Sequence, residues 1–203
     1  MRYSRHQPRN RKKLFDRPIT PRSKSPGYFE RLADRYRRYV MAHPDRQLAF
    51  CLTQTTFSAA VSVAARPIAH RGKIHGHQCW IGADALDAFA PFLVPITPQL
   101  EAAETFDEIH NLVESVAPYG IGEFTIYDTS CRIAAYRGKH PTKVYLHGGA
   151  REGAEKLLGP LRRGKLIEAT ELPLPLQQFG LTAGQLEYIL CIYKKEFELY
   201  PQE

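Results

Sequence analysis

The sequence feature that most constrains the fold is a tight glycine turn, Gly120-Ile121-Gly122, with a helical pattern on each side. Before it, Thr105 and Glu108 form a capping box, in which a hydroxyl and a carboxylate three residues apart satisfy free amides at a helix start. Apolar residues recur at helical spacing on both sides of the turn. They are Ile109, Leu112, Val113 and Val116 before it, and Ile126, Ile133, Ala134 and Tyr136 after it. We therefore expect a helix, a sharp turn and a second helix.

Helical patterns cover most of the remaining chain, and no stretch alternates long enough to demand a sheet. The mostly apolar segment 46–65 predicts one central helix that stops at Pro67. Thr182 and Gln185 form a second capping box, which opens a long last helix. Further helices are expected from Ser25-Pro26 to about Pro44, over 83–93 and over 144–158, where the first residues could instead form a short strand. The pattern predicts an all-α fold of roughly seven helices in one compact domain, residues 27–203.

Positive charge is concentrated at the N-terminus. Residues 1–26 contain nine Lys and Arg side chains and one acid, Asp16, whereas the whole chain carries a net charge of +7. Residues 27–203 are therefore nearly neutral. A segment this basic and poor in aliphatic side chains cannot offset its ordering entropy by burial, so we expect a flexible arm that is attracted to polyanions. The arm is either a nucleic-acid contact or a solubilising extension.

Composition argues against several classes of protein. There is no apolar run of ~18 residues for a membrane span, and residues 1–26 lack the apolar stretch of a secretory signal and the amphipathic period of a transit peptide. The four scattered cysteines form no C-x-x-C pair, which fits reduced thiols better than a disulfide framework or a four-thiolate zinc site. We expect a soluble protein of the cytoplasm that does not bind a membrane.

The glycine turn can hold a phosphate, because glycines let the backbone expose successive N–H groups and a following helix start adds a positive dipole end. The stretch "YGIGEFTIYD" resembles the hairpin of the helix-hairpin-helix DNA-binding motif. In that family the hairpin amides hold a DNA backbone phosphate without reading sequence. The resemblance implies DNA contacts at Gly120, Ile121, Gly122 and Thr125. The alternative is a purely structural turn between helices.

Two flanking segments extend the resemblance, over about residues 46–159, to the helix-hairpin-helix superfamily of DNA base-excision glycosylases. Upstream, "FCLTQTT" is similar to a segment of the form L-x-Q-T-T, which implies that Gln54 fills or borders the space left by a flipped base. The alternative for Gln54 is a polar residue on a helix exterior. Downstream, "KVYLHGGAREG" is similar to a V-D-T-H-x-x-R junction, with Val144 and His147 in matching places and the arginine one residue later, at Arg151.

The chain departs from the family at two positions. The aspartate that supports departure of the base would fall at Tyr145, and the lysine that bifunctional members use for strand cleavage would fall at Phe124. A Schiff-base lyase is therefore not expected. Asp128 lies one helical turn beyond Phe124 on the same face, so we expect this carboxylate to stabilise an oxocarbenium-like sugar or to activate water. The alternative is a surface ion pair between Asp128 and Arg132.

Other candidates for the site follow from the same segments. Glu123 and His147 are further catalytic candidates, and Tyr127 and Tyr145 are expected to line the base pocket. In the loop 70–79, Arg71 and Lys73 are expected to face phosphates. Zinc ligands are conceivable in this loop, but its histidines and cysteine lack a distant partner pair, so we expect neither a metal nor a cofactor. These are His70, His75, His77 and Cys79.

Together these features predict a monofunctional DNA N-glycosylase that binds duplex DNA by backbone contacts, flips out a damaged or modified base and excises it. The absence of the family's aspartate favours an unusual substrate, such as the bulky modified bases that some phages carry, which would make the protein a defence enzyme. The alternative is a non-catalytic helix-hairpin-helix module of a repair or recombination assembly. Only the enzyme would release a base.

Overall fold

The computed structural model describes residues 27–66, 81, 83–161 and 166–197, and in these ranges the chain is mostly helical. The expected all-α character is confirmed to that extent; the arm and the loop 70–79 lie outside the described residues. The helices are α1 Tyr28–Ala42, α2 Arg46–Leu52, α3 Phe57–Ala64, α4 Ala83–Leu93, α5 Thr97–Ala102, α6 Phe106–Ser115, α7 Glu123–Tyr136, α8 Gly148–Leu158, α9 Leu174–Gln177 and α10 Ala183–Tyr193. Short 3₁₀ turns occupy Val94–Ile96, Ala169–Glu171 and Lys194–Glu196. No described helix has the length and apolar character needed to cross a membrane.

The prediction of one central helix over 46–65 was wrong, because the chain forms α2 and α3 with a break between them. Threonine hydroxyls bond to the backbone at this break. Thr53 Oγ1 donates to Phe50 O at 2.8 Å and closes α2, while Thr56 Oγ1 accepts from Ala59 N at 3.1 Å and opens α3. Nor is the whole segment central, since Phe50 and Leu52 are 41% and 48% exposed.

Side-chain caps open two of the later helices, α6 and α10. The box between Thr182 and Gln185 is confirmed, with both reciprocal hydrogen bonds present at the start of α10. At α6, Thr105 Oγ1 accepts from Glu108 N as expected. The Glu108 carboxylate, however, accepts from Glu104 N at 2.8 Å, so this half of the box reaches one residue further back than the sequence pattern predicts.

A short sheet interrupts the helical segment expected over 144–158. Strand β1, Val144–Tyr145, pairs antiparallel with β2, Leu166–Ile167, and Val144 lies opposite Ile167. Helix α8 begins only at Gly148, which has a positive φ of 46°. The β-branched and aromatic pair at 144–145 favours an extended strand. The first residues of the segment therefore form the short strand that was the alternative to a helix.

Within the described residues, two hydrophobic clusters make the core. One joins α1, α8, α9 and α10, and the other joins α2 to α7. Val144 and Leu146 belong to the first cluster and Tyr145 to the second, so β1 lies where the two meet. Helix α8 approaches α10 closely because Gly153 has no side chain; a Cβ there would overlap the carbonyl of Leu190. This contact positions α8 and the residue before it, His147.

Candidate functional site

The turn between α6 and α7 presents an open helix start. Gly120 has a φ of 94°, a left-handed conformation that favours glycine. Gly122 is the N-cap of α7, and no described side chain caps this end. Both glycines are exposed, and no described atom lies within 4 Å of a Cβ placed on either one. The first turn of α7 is therefore accessible to an anion.

Ile121 and Thr125, the other predicted hairpin contacts, face inward. Ile121 is half-buried against the cluster that contains α6 and α7, and its N–H donates to Pro118 O at 3.1 Å. Thr125 is buried, and its N–H donates to Gly122 O at 3.0 Å. Of the predicted hairpin contacts, the two glycines are thus the ones exposed to solvent, and Ile121 and Thr125 hold the turn in place.

A small cavity lies beside this turn. It brings together three of the residues predicted from the sequence, Glu123, Tyr145 and His147, from the start of α7 and the end of β1. The sequence analysis missed two further members, His110 and Glu114, which lie one turn apart on α6. Their four-residue spacing on the helix before the glycine turn is the signal that could have found them. Leu146 completes the lining.

Aromatic rings pack closely at this cavity. The ring of Tyr127 lies 5.1 Å from that of Tyr145 and 4.7 Å from that of His147, but Tyr127 is buried rather than one of the described residues that line the cavity. Tyr145 Oη donates to Asp107 Oδ1 at 2.9 Å. Burial raises the pKa of Tyr145, and its hydrogen bond to Asp107 raises it further. Tyr145 is therefore a neutral phenol at the position where the resemblance places an aspartate.

Behind His147 lies a buried carboxyl group, Glu187 of α10. The atoms His147 Nε2 and Glu187 Oε1 are 3.6 Å apart, and each side chain is 5% exposed. Burial, and secondarily the charge of Asp128, raises the pKa of Glu187 to about 8. The sequence analysis missed Glu187, although its position one residue after Leu186 and three before Leu190 places an acid on the buried face of the last helix.

Asp128 forms the ion pair with Arg132 that was the alternative to a catalytic role. Its Oδ2 lies 3.2 Å from Arg132 Nη2, with the two side chains 21% and 3% exposed. The guanidinium also donates to Ala64 O at 3.1 Å. The pair is therefore not on the surface, as that alternative assumed, and Asp128 is not one of the described residues that line the cavity.

Gln54 and the glycine turn lie at opposite ends of α7. Gln54 Nε2 donates to Phe50 O at 2.9 Å, and Gln54 O accepts from Tyr136 Oη at 3.0 Å. Tyr136 is the last residue of α7, whereas Gly122 caps its start. A helix of this length separates its ends by about 20 Å, so the structure does not bring these two predicted DNA contacts together.

Arg71, Lys73 and the candidate zinc ligands of the loop 70–79 lie outside the described residues. Within the described ranges, no group of three or more His, Cys, Asp or Glu side chains is arranged to hold a metal ion. Comparison with known proteins gives no match to this chain, whether among family models, curated proteins or solved structures. The function must therefore be argued from the turn and the cavity themselves.

Proposed function

We propose that this protein is a DNA N-glycosylase that holds a backbone phosphate at the Gly120–Gly122 turn and releases a base turned out into the adjacent cavity. The observation that carries the proposal is the position of Glu123. It is the first residue of the open helix α7 and also lines the cavity. A phosphate held at this helix start would place its nucleotide directly beside the cavity.

Phosphate binding follows from the backbone at the turn. The start of a helix carries unsatisfied N–H groups and a partial positive charge of ~0.5. Gly122 places no side chain in front of these amides. Contacts of this kind hold any DNA sequence equally well, because they read the phosphate and not the base.

The acidic residues favour an enzyme over a non-catalytic binding module. Glu114 and Glu123 line the cavity, and their negative charge repels phosphates, so a module that only holds DNA gains nothing from them. Cleavage of an N-glycosidic bond instead develops positive charge on the sugar, which carboxylates stabilise.

We assign the cavity residues the following roles in the reaction. The C1′–N bond breaks and its electron pair leaves with the base, which takes a proton from His147. Glu123 stabilises the positive sugar and accepts a proton from the water that attacks C1′. Tyr145 provides a ring against which the extruded base can stack.

Base release from defined DNAs tests this proposal. Duplexes carrying different damaged or modified bases, including bulky modified pyrimidines, are incubated with the full chain and heated in alkali to cleave at abasic sites. We expect one class of duplex to be cleaved, and Glu123→Gln to reduce cleavage ~100-fold while retaining DNA binding. The matched control is Glu30→Gln, which removes an exposed carboxylate from α1. Binding to every duplex without release of any base would support the non-catalytic module instead.

A further inference from the structure

A pair of buried ionisable groups lies at the cavity, with His147 in its wall and Glu187 behind His147. His147 follows β1 and is the N-cap of α8, and Glu187 lies on α10, which packs against α8. Carboxylates are almost never fully buried without a partner. Glu187 Oε1 lies 3.6 Å from His147 Nε2. His147 lines the cavity, so Glu187 can act on a bound base through the imidazole ring.

We propose that Glu187 is a positioning residue that supplies His147 with the proton that the leaving base takes up. This inference rests on the proposed base-releasing function. As the C1′–N bond breaks, the base takes a proton from the imidazole, and the imidazole takes one from the Glu187 carboxyl. The pair ends the step as a neutral imidazole and a carboxylate, and a proton from solvent restores it. The gap of 3.6 Å exceeds a direct hydrogen bond, and such contacts commonly tighten when substrate binds.

Packing holds the imidazole in place for this transfer. The ring of Phe124 lies edge-on to it at 5.0 Å, and the ring of Tyr127 lies 4.7 Å away. Both aromatic residues belong to the first half of α7. A ring held between two others keeps one orientation between the cavity and Glu187, as proton transfer requires.

The charges near the pair favour retention of one proton in neutral solution. The groups that interact with it electrostatically are Tyr36 of α1; Tyr127, Asp128 and Cys131 of α7, with Arg132 beside Asp128; and Cys191 of α10. Burial raises the pKa values of Tyr36, Tyr127 and Cys191, so these three stay neutral. Asp128 adds negative charge. Together with burial it keeps the pKa of Glu187 near 8, so the pair is protonated at pH 7.

The pH dependence of two readouts tests the proposal, in the parent, in Glu187→Gln and in Glu155→Gln. Glu155 is the matched control, because it carries the same group on the neighbouring helix α8 with a side chain that is 41% exposed. In the parent and the control, base release should decline only above about pH 8, where the pair loses its proton. In Glu187→Gln the proton must come from the imidazole alone, and an imidazole free in water has a pKa of ~6.5. The decline of base release should then begin at least one pH unit lower in this variant. Its release should be ~10-fold below that of the parent at pH 8 and within ~3-fold of the parent at pH 6.

The second readout, NMR titration of the His147 imidazole, does not require activity. We expect a step near pH 8 at His147 in the parent and its loss in Glu187→Gln. Superimposable titrations or pH–rate profiles of the two proteins would overturn the role of Glu187 while leaving base release intact. If no DNA loses a base, the glycosylase proposal fails, and the NMR step still decides whether the two groups share a proton. Should Glu187→Gln fail to fold, a parent titration with no step near pH 8 would also refute the pairing.

Discussion

Replacing Asp128 by Asn tests how the fold uses this carboxylate. Its partner Arg132 has a side chain that is 3% exposed, whereas that of Asp128 is 21% exposed. Removing one partner of a fully buried pair costs ~3–5 kcal/mol, because the other charge is left uncompensated. Asp128 is partly solvated, and an amide oxygen can still accept a hydrogen bond from Arg132. We therefore expect a smaller loss, about 2 kcal/mol in the free energy of unfolding.

For a chain of this size, each kcal/mol shifts the melting temperature by ~2–4 °C. Asp128→Asn should therefore melt about 4–8 °C below the parent in a thermal unfolding experiment. The matched control is Asp34→Asn, because Asp34 pairs with Arg37 at the same distance, 3.2 Å, with side chains that are 56% and 48% exposed. Such exposed pairs contribute at most ~1 kcal/mol, so the control should melt within ~4 °C of the parent and above Asp128→Asn.

The same variant distinguishes an effect on protein stability from an effect on base release. Because Asp128 does not line the cavity, Asp128→Asn should retain most base release once the folded fraction is taken into account. Equal melting temperatures for Asp128→Asn and Asp34→Asn would refute the reasoning about a buried pair. A ~100-fold loss of release in folded Asp128→Asn would instead make Asp128 the carboxylate that acts on the sugar, in place of Glu123.

Deleting residues 1–24 should lower DNA affinity and flatten its salt dependence without unfolding the chain, because this segment carries the excess positive charge. Binding titrations over a salt series measure this, and an unchanged slope removes the arm from DNA binding. Gly120→Ala should weaken binding to all DNA sequences alike and cost ~1–2 kcal/mol of stability, because a side chain is strained at a φ of 94°. Gly122→Ala, at a φ of −83°, is the unstrained comparison in urea unfolding, and equal stability losses would contradict this reasoning. Burial raises the pKa of Glu187 to about 8 from ~4.3 in the unfolded chain, so its contribution to stability is complete below pH ~4 and is lost as the pH rises through about 8. Urea unfolding at a series of pH values should show this decline in the stability of the parent and a flatter pH dependence in Glu187→Gln. Identical dependences of stability on pH in the two proteins would contradict the prediction.

Local signals were enough to predict the helix, turn and helix around Gly120. The Thr105 cap and the left-handed Gly120 act on their immediate neighbours, so the sequence shows them directly. The helix over 46–65 was predicted wrongly for a related reason. A threonine can either continue a helix or cap it, and the apolar pattern does not reveal that Thr53 and Thr56 both bond to the backbone.

Long-range packing explains what the sequence could not predict about the site. His147 and Glu123 were predicted from a resemblance, but their meeting in one cavity depends on β1 and α7 packing together. Glu187 lies far along the chain from His147, and its partner is set by the contact of α8 with α10. Similarly, Gln54 and Gly120 both belong to segments that resemble the glycosylase superfamily. The resemblance does not reveal that they lie at opposite ends of α7.

A crystal structure of Glu123→Gln bound to a duplex that the parent cleaves would test the central claim most directly. This variant should bind the DNA and leave the base attached. The account predicts a backbone phosphate within hydrogen-bonding distance of the backbone amides at the start of α7, and the target base out of the helical stack and inside the cavity beside His147. DNA bound on another face, or a base still stacked in the duplex with the cavity empty, would contradict it.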